Sequence, residues 1–208
     1  MTYFHKKYLV AVNLMAFVLF VLMLLSVLNQ SAFLVLDEWI SMHIPHIRMQ
    51  WLDPLVVWVT DMNGIKGAVL FSVFVTGVFI WKRWYSDIWF YLVVSLGATG
   101  LFAGIKSLVE RTRPDISIIE VGGFSFPSGH TTMATAMAFS LYFILSDKTD
   151  KREVRAALFI MALGWSLIIA STRIYLGVHW FSDVVGGFGL GLWWVTLVKL
   201  VWGARKTS

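Results

Sequence analysis

The sequence predicts an all-α fold threaded six times through a membrane, with one short helix lying on the surface. Of 208 residues, 58% are hydrophobic and 14% are charged. Soluble domains run roughly 45–50% apolar and about 25% charged. A water-soluble protein with so little charge would not cover its own surface. A mean hydropathy of +0.75 and eleven Trp, a residue favoured at membrane interfaces, agree. Composition thus excludes a secreted enzyme, a disordered tail and a soluble nucleic-acid binder. The expected surroundings are a lipid bilayer, with no nucleic-acid partner.

Six apolar stretches approach the length that crosses a ~30 Å hydrocarbon core. The first, from Tyr8 to Leu28, has no charge and one amide, Asn13. It is too long for a signal-peptide core and no A-x-A site follows, so it is expected to be retained. The second covers Ile65 to Trp81, with Lys66 at its edge, and the third Trp89 to Leu108. The fourth runs from His130 to Leu145, the fifth from Ala156 to Thr172, and the sixth from Val184 to Trp202. Residues 29–63, with Asp37, Glu38, Trp39, Pro45, Trp51, Pro54 and Trp58, are too polar to span and too aromatic for a plain linker. A short interfacial helix suits them. Residues 109–129 read as a Gly-, Pro- and Ser-rich loop. No repeat or low-complexity tract appears, and residues 1–208 are expected to form a single domain around a motif core at 106–183.

Charge placement orients the chain. Six crossings put both termini on one side with the turns at 82–88 and 147–155. That side carries Lys6, Lys7, Lys82, Arg83, Lys148, Lys151, Arg152, Arg155, Lys199, Arg205 and Lys206, eleven of the 17 cations. The positive-inside rule assigns it to the cytoplasm of a cell membrane. Arg48, Lys66, Lys106, Arg111, Arg113 and Arg173 fall on the other side, against the rule.

Three of those six sit in a pattern. Lys106 to Pro114 ends the third stretch, Phe126-Pro127-Ser128-Gly129-His130 opens the fourth, and Arg173 to Asp183 joins the fifth to the sixth. All lie at the same membrane boundary. Lys106 and Arg113 are two helical turns apart and share a face. Guanidinium offers paired planar donors to phosphate, and lysine adds a point charge. Ser128 can cap a helix and Gly129 lets an anion approach the free N–H groups at its start. His179 and Asp183, four apart, allow the carboxylate to hold one ring nitrogen and leave the other as a nucleophile. His130 remains as a general acid for the leaving oxygen.

The pattern K-x6-RP, PSGH and R-x5-H-x3-D closely resembles the type 2 phosphatidic acid phosphatase (PAP2) family, whose helical core is shared with vanadium-dependent haloperoxidases. Thr172 precedes Arg173 where that family's third motif usually has Ser. The resemblance implies a metal-independent membrane lipid phosphohydrolase, with no cofactor, working at the outer face through a phosphohistidine. By analogy, His179 attacks phosphorus, Asp183 orients it, and His130 protonates the departing group and then activates water. Lys106, Arg113, Ser128, Gly129 and Arg173 would hold the phosphoryl oxygens. Phosphatidylglycerophosphate, undecaprenyl diphosphate and phosphatidic acid all suit the family as substrates. Transfer of the phosphoryl group to an acceptor lipid would use the same residues. An anion or lipid transporter would need neither histidine.

Other residues have plainer readings. Arg111 lies within the first motif and is treated as an accessory cation. His43 and His46 lack the third protein ligand of a catalytic zinc site. Asp183 can cap the sixth helix as well as orient His179. Gly100-x3-Gly104 and Gly187-x3-Gly191 read as close helix packing. Trp81, Trp84, Trp89, Trp180 and Trp202 read as interface residues, with Trp180 also beside the site. The absence of Cys excludes disulfides and thiolate chemistry.

Overall fold

The computed structural model describes residues 3–31 and 33–205; Lys206 and the side chain of Arg205 lie outside this description. The described residues fold into helices joined by loops: α1 (Tyr3–Leu28), α2 (Leu34–Ile47), α3 (Asp53–Asp61), α4 (Ile65–Trp81), α5 (Tyr85–Val109), α6 (Gly129–Ser146), α7 (Arg152–Tyr175) and α8 (Phe181–Arg205). Four of them, α1, α5, α7 and α8, are long and apolar enough to cross a membrane. A fifth span results if α3 and α4, bent by 49° at their junction, count together.

Six independent spans therefore exceed what length and composition support. The shortfall has a physical cause in α6. It packs against α5, α7 and α8 at the centre of the bundle. Thr131, Thr132, Thr135 and Ser140 are fully buried there. A helix surrounded by other helices need not be apolar all round, and these buried hydroxyls lower the mean hydropathy of α6.

One interfacial helix was expected over 29–63, and two form. Pro45 lies in the last turn of α2, Arg48 is extended (φ −68°, ψ 141°), and Pro54 opens α3. Proline fits the first turn of a helix and ends one that precedes it. Trp39, Trp51 and Trp58 are exposed along this segment, as an interfacial position requires.

Polar and small residues select the packing faces. Asn13, the one amide of α1, donates through Nδ2 to Trp193 O and Thr196 Oγ1, both at 2.8 Å, locking α1 onto α8. A Cβ at Gly187 would come 2.7 Å from Ser128 O, and one at Gly191 would come 2.6 Å from Thr132 O. These glycines let α8 touch the start of α6. Gly100 and Gly104 do not behave this way, for a Cβ at either meets nothing within 4 Å. Gly97 is the close contact on α5, where a Cβ would run into the Trp194 ring. The tight helix seam expected at Gly100-x3-Gly104 is absent. Gly187→Ala is expected to lower stability by ~1–3 kcal/mol through overpacking, read as a fall in Tm in detergent. Gly100→Ala is expected to leave Tm unchanged or raise it, because alanine favours a helix by ~0.5–1 kcal/mol.

Candidate active site

Helix direction brings the motifs together. The C-terminal ends of α5 and α7 and the N-terminal ends of α6 and α8 meet at one end of the bundle. Ion pairs Lys148–Asp87 and Lys199–Asp147, each 2.6 Å, tie the opposite end. At the near end Ser128 N donates to Asp183 O at 2.9 Å, joining the second motif to the third.

His179 precedes α8 and is almost completely buried. Its Nδ1 lies 3.3 Å from Asp183 Oδ2, and its Nε2 lies 3.2 Å from Arg113 Nη1. Guanidinium can only donate, so Nε2 accepts and the ring proton resides on Nδ1, facing the carboxylate. That tautomer leaves a lone pair on Nε2. Burial pushes the His179 pKa down to about 4, opposed by Asp183 and reinforced by Arg173 and Arg113. The imidazole is therefore neutral at physiological pH, as a nucleophile must be. Asp183 Oδ2 also accepts from Trp180 N at 2.9 Å. One carboxylate thus caps α8 and orients His179, the combination the sequence allowed.

The cations close round this pair. Arg113 is fixed by four backbone carbonyls: Val178 at 2.6 Å, Gly123 at 3.0 Å, Phe124 at 3.1 Å and Gly122 at 3.2 Å. Lys106 Nζ donates to Phe124 O at 2.6 Å and Ser125 O at 3.1 Å. Arg173 is 2% exposed and donates through Nη1 to Thr60 Oγ1 at 2.9 Å. Its Nε has no partner among the described residues. A buried donor without an acceptor is costly, and an anion in the site would satisfy it. His130 follows Ser128 and Gly129 at the start of α6, in the field of Arg173, Arg113, Lys106 and His179.

Ser128 takes the N-cap position of α6. Its hydroxyl oxygen accepts from Thr131 Oγ1 at 3.0 Å and, weakly, from Thr131 N at 3.5 Å. The side chain is wholly buried and engaged in the cap. Gly129 and His130 N–H groups have no protein acceptor among the described residues. Free N–H groups at a helix start can receive an anion. Gly129 also packs so tightly that a Cβ would meet Phe102 at 2.9 Å. Thr172, the departure from the usual third motif, donates to Ile169 O at 2.6 Å within its own helix. Its hydroxyl makes no hydrogen bond to the cations among the described residues, so the Ser-to-Thr difference leaves their hydrogen bonds intact.

Several participants were not evident in the sequence. Arg111, read as accessory, donates through Nη1 to Asp183 Oδ1 and through Nη2 to Asp37 Oδ2, both at 2.7 Å. Asp37 in turn accepts from Ser182 N at 2.8 Å and Ser182 Oγ at 2.5 Å. At the α3–α4 corner, Thr60 holds Arg173, and Asn63 Nδ2 donates to His130 O at 2.7 Å. Trp180 borders the site as expected, with Nε1 donating to Thr112 O at 2.9 Å and Arg111 over its ring at 5.3 Å. His43 stacks on Trp39 and lies edge-on to His46, 6.5 Å between ring centroids.

Residues 88–206 match the PAP2 superfamily. Phosphatidylglycerophosphatase B of Bacillus subtilis is 30% identical over 184 residues, covering 87% of this chain and 90% of that protein. The crystal structure of a transmembrane PAP2-type phosphatidylglycerolphosphate phosphatase from Bacillus subtilis aligns with a TM-score of 0.82. The match is 28% identical and covers 94% of this chain and 96% of that one. A lipid A 1-phosphatase of Rhizobium johnstonii is 33% identical over 125 residues, covering 53% of this chain and 46% of that protein.

Proposed function

The chain belongs to the PAP2 superfamily, and from that membership we propose a membrane lipid phosphatase that acts through a phosphohistidine on His179. The observation that carries the reading is the pairing of the two ring nitrogens. Nδ1 faces Asp183 and Nε2 faces Arg113, at the point where the start of α6 and the cations converge.

The steps follow from the groups present. Nε2 attacks phosphorus and forms the N–P bond as the P–O bond to the lipid breaks. Arg113 shifts a donor from Nε2 to a phosphoryl oxygen. Arg173 Nε, Lys106 and the Gly129 and His130 N–H groups receive the other oxygens. Preorganised donors of this kind are worth about 3–4 kcal/mol each in a water-excluded site. Asp183 stabilises the imidazolium as it gains charge. His130 gives a proton to the departing oxygen, then takes one from the water that cleaves the N–P bond.

Phosphatidylglycerophosphate is the proposed substrate, because the two relatives that match over 87% and 94% of this chain are named for it. In the proposed topology α6 and α4 also cross the bilayer, both termini are cytoplasmic, and the site opens at the outer headgroup level of the cytoplasmic membrane. The uneven cations and the exposed tryptophans of α2 and α3 support that arrangement. The test is phosphate release from phosphatidylglycerophosphate, phosphatidic acid and undecaprenyl diphosphate, with the His179→Ala variant as blank. Phosphatidylglycerophosphate is expected to show the highest kcat/KM. A higher value for another lipid would move the substrate assignment. Label recovered in an acceptor lipid instead of free phosphate would replace hydrolysis by transfer.

A further inference from the structure

Asp183 does not face His179 alone. Its Oδ2 takes His179 Nδ1–H and Trp180 N–H, while its Oδ1 takes Arg111. Arg111 sits on two carboxylates at equal distance, 2.7 Å to each. The side chains of Asp37, Arg111 and Asp183 are 1%, 11% and 0% exposed. Ser182, next to Asp183 in the chain, is clamped to Asp37 through both its N–H and its hydroxyl, and Arg111 Nη1 also donates to that hydroxyl at 2.7 Å.

Charge decides what this arrangement does. A lone guanidinium 2.7 Å from Asp183, in a dry site, would largely neutralise the carboxylate. Asp183 would then have little charge left for the imidazolium that forms on His179. Asp37 cancels Arg111, and the three groups together carry one negative charge. Stability alone does not account for the triad, because buried ion pairs often stabilise no more than apolar replacements. Its inclusion of Asp183, the partner of the proposed nucleophile, does account for it.

We propose that Asp37 and Arg111 act as a paired positioning unit. Arg111 fixes the Asp183 carboxylate toward His179, and Asp37 balances Arg111 so that Asp183 keeps its charge. The unit rests on the reading of His179 as nucleophile. It also gives α2 a function, since Asp37 is the buried acid through which that helix docks on the start of α8.

The experiment compares Asp37→Asn, Asp37→Glu and the double variant Asp37→Asn/Arg111→Gln, with His179→Ala in parallel. Each is assayed as full-length protein in detergent micelles holding phosphatidylglycerophosphate, over a range of pH. Besides Asp183, the charged or titratable groups acting on His179 are Arg173 and Arg113, with His130 in the same field. None of these is altered. Asp37→Asn is expected to lower kcat by ~10²-fold, the scale of a small misplacement of reacting groups, with KM little changed. With less negative charge nearby, the acid limb of kcat/KM should move to lower pH. Asp37→Glu keeps the charge, so its acid limb should stay at the parent position even as kcat falls. The double variant removes both charges and should recover part of the kcat lost in Asp37→Asn.

If the acid limb is unmoved in Asp37→Asn, or if the double variant is no better than the single, the unit is merely structural and the inference fails. Should Asp37→Asn not fold, the acid limbs of Asp37→Glu and the double variant decide, since both are expected at the parent position. Retained turnover in His179→Ala overturns the nucleophile reading instead, which separates the two failures.

Discussion

Replacing His179 by glutamine is expected to lower kcat by ~10⁴–10⁶-fold, the scale seen when a covalent nucleophile is removed. The amide of glutamine can still donate to Asp183, so the capped start of α8 should survive. Lys106, Arg113 and Arg173 would still hold phosphate, and KM for lipid should change little. That split identifies a group acting in the chemistry rather than in binding. A second reading comes from rapid acid-free quenching with ³²P-labelled lipid. The parent protein should carry label that is stable to base and lost in acid, and the glutamine variant should carry none. Turnover within about tenfold of the parent, a loss of only ~1.4 kcal/mol, would rule out His179 as the attacking group.

The reach of sequence reasoning is itself explained by distance along the chain. His179 and Asp183 are four residues apart, Lys106 and Arg113 seven, and Pro127 to His130 are contiguous. Such short intervals are readable, and their common membrane boundary brings them together. Yet α5 ends at Val109 and Arg113 lies in the loop beyond it, so Lys106 and Arg113 do not share the helical face their interval suggests. The supporting residues have no local signature. Asp37 meets Ser182 across 145 residues, Thr60 meets Arg173 across 113, and Asn63 meets His130 across 67. Each is a single polar residue in a segment whose aromatic content pointed to the membrane surface. Only the fold of α2 and α3 over the site shows what they hold.

The span count departs from six for a related reason. Mean hydropathy averages every face of a helix, and α6 meets mostly protein. The buried threonines that make α6 look poorly suited to a membrane are the ones that face its neighbours. Glycine spacing misled in the other direction. Gly100 and Gly104 have the same interval as Gly187 and Gly191, yet only the second pair touches another helix. The interval gives a face, and the face needs a partner before it means packing.

His130→Gln is the second large effect expected, a loss of ~10²–10⁴-fold in kcat on lipid substrate, the range for a general acid–base group. The side chain starts α6 beside the proposed anion seat, and Asn63 fixes its carbonyl from the α3–α4 corner. A lipid alkoxide is a poor leaving group and needs the proton that the proposed mechanism takes from His130. An aryl phosphate with an acidic phenol does not, so its first step should be nearly spared. The second step still needs a base for water. With the aryl substrate, His130→Gln should therefore release a burst of phenol and then stall, with label accumulating on His179. A residue that merely supported the fold would slow both substrates alike and trap nothing. The variant separates those roles because leaving-group acidity changes the need for a proton without changing the contacts that hold phosphate. Equal losses on both substrates, without accumulated phosphoenzyme, would remove His130 from the proton transfer and leave it a structural part of the α6 start.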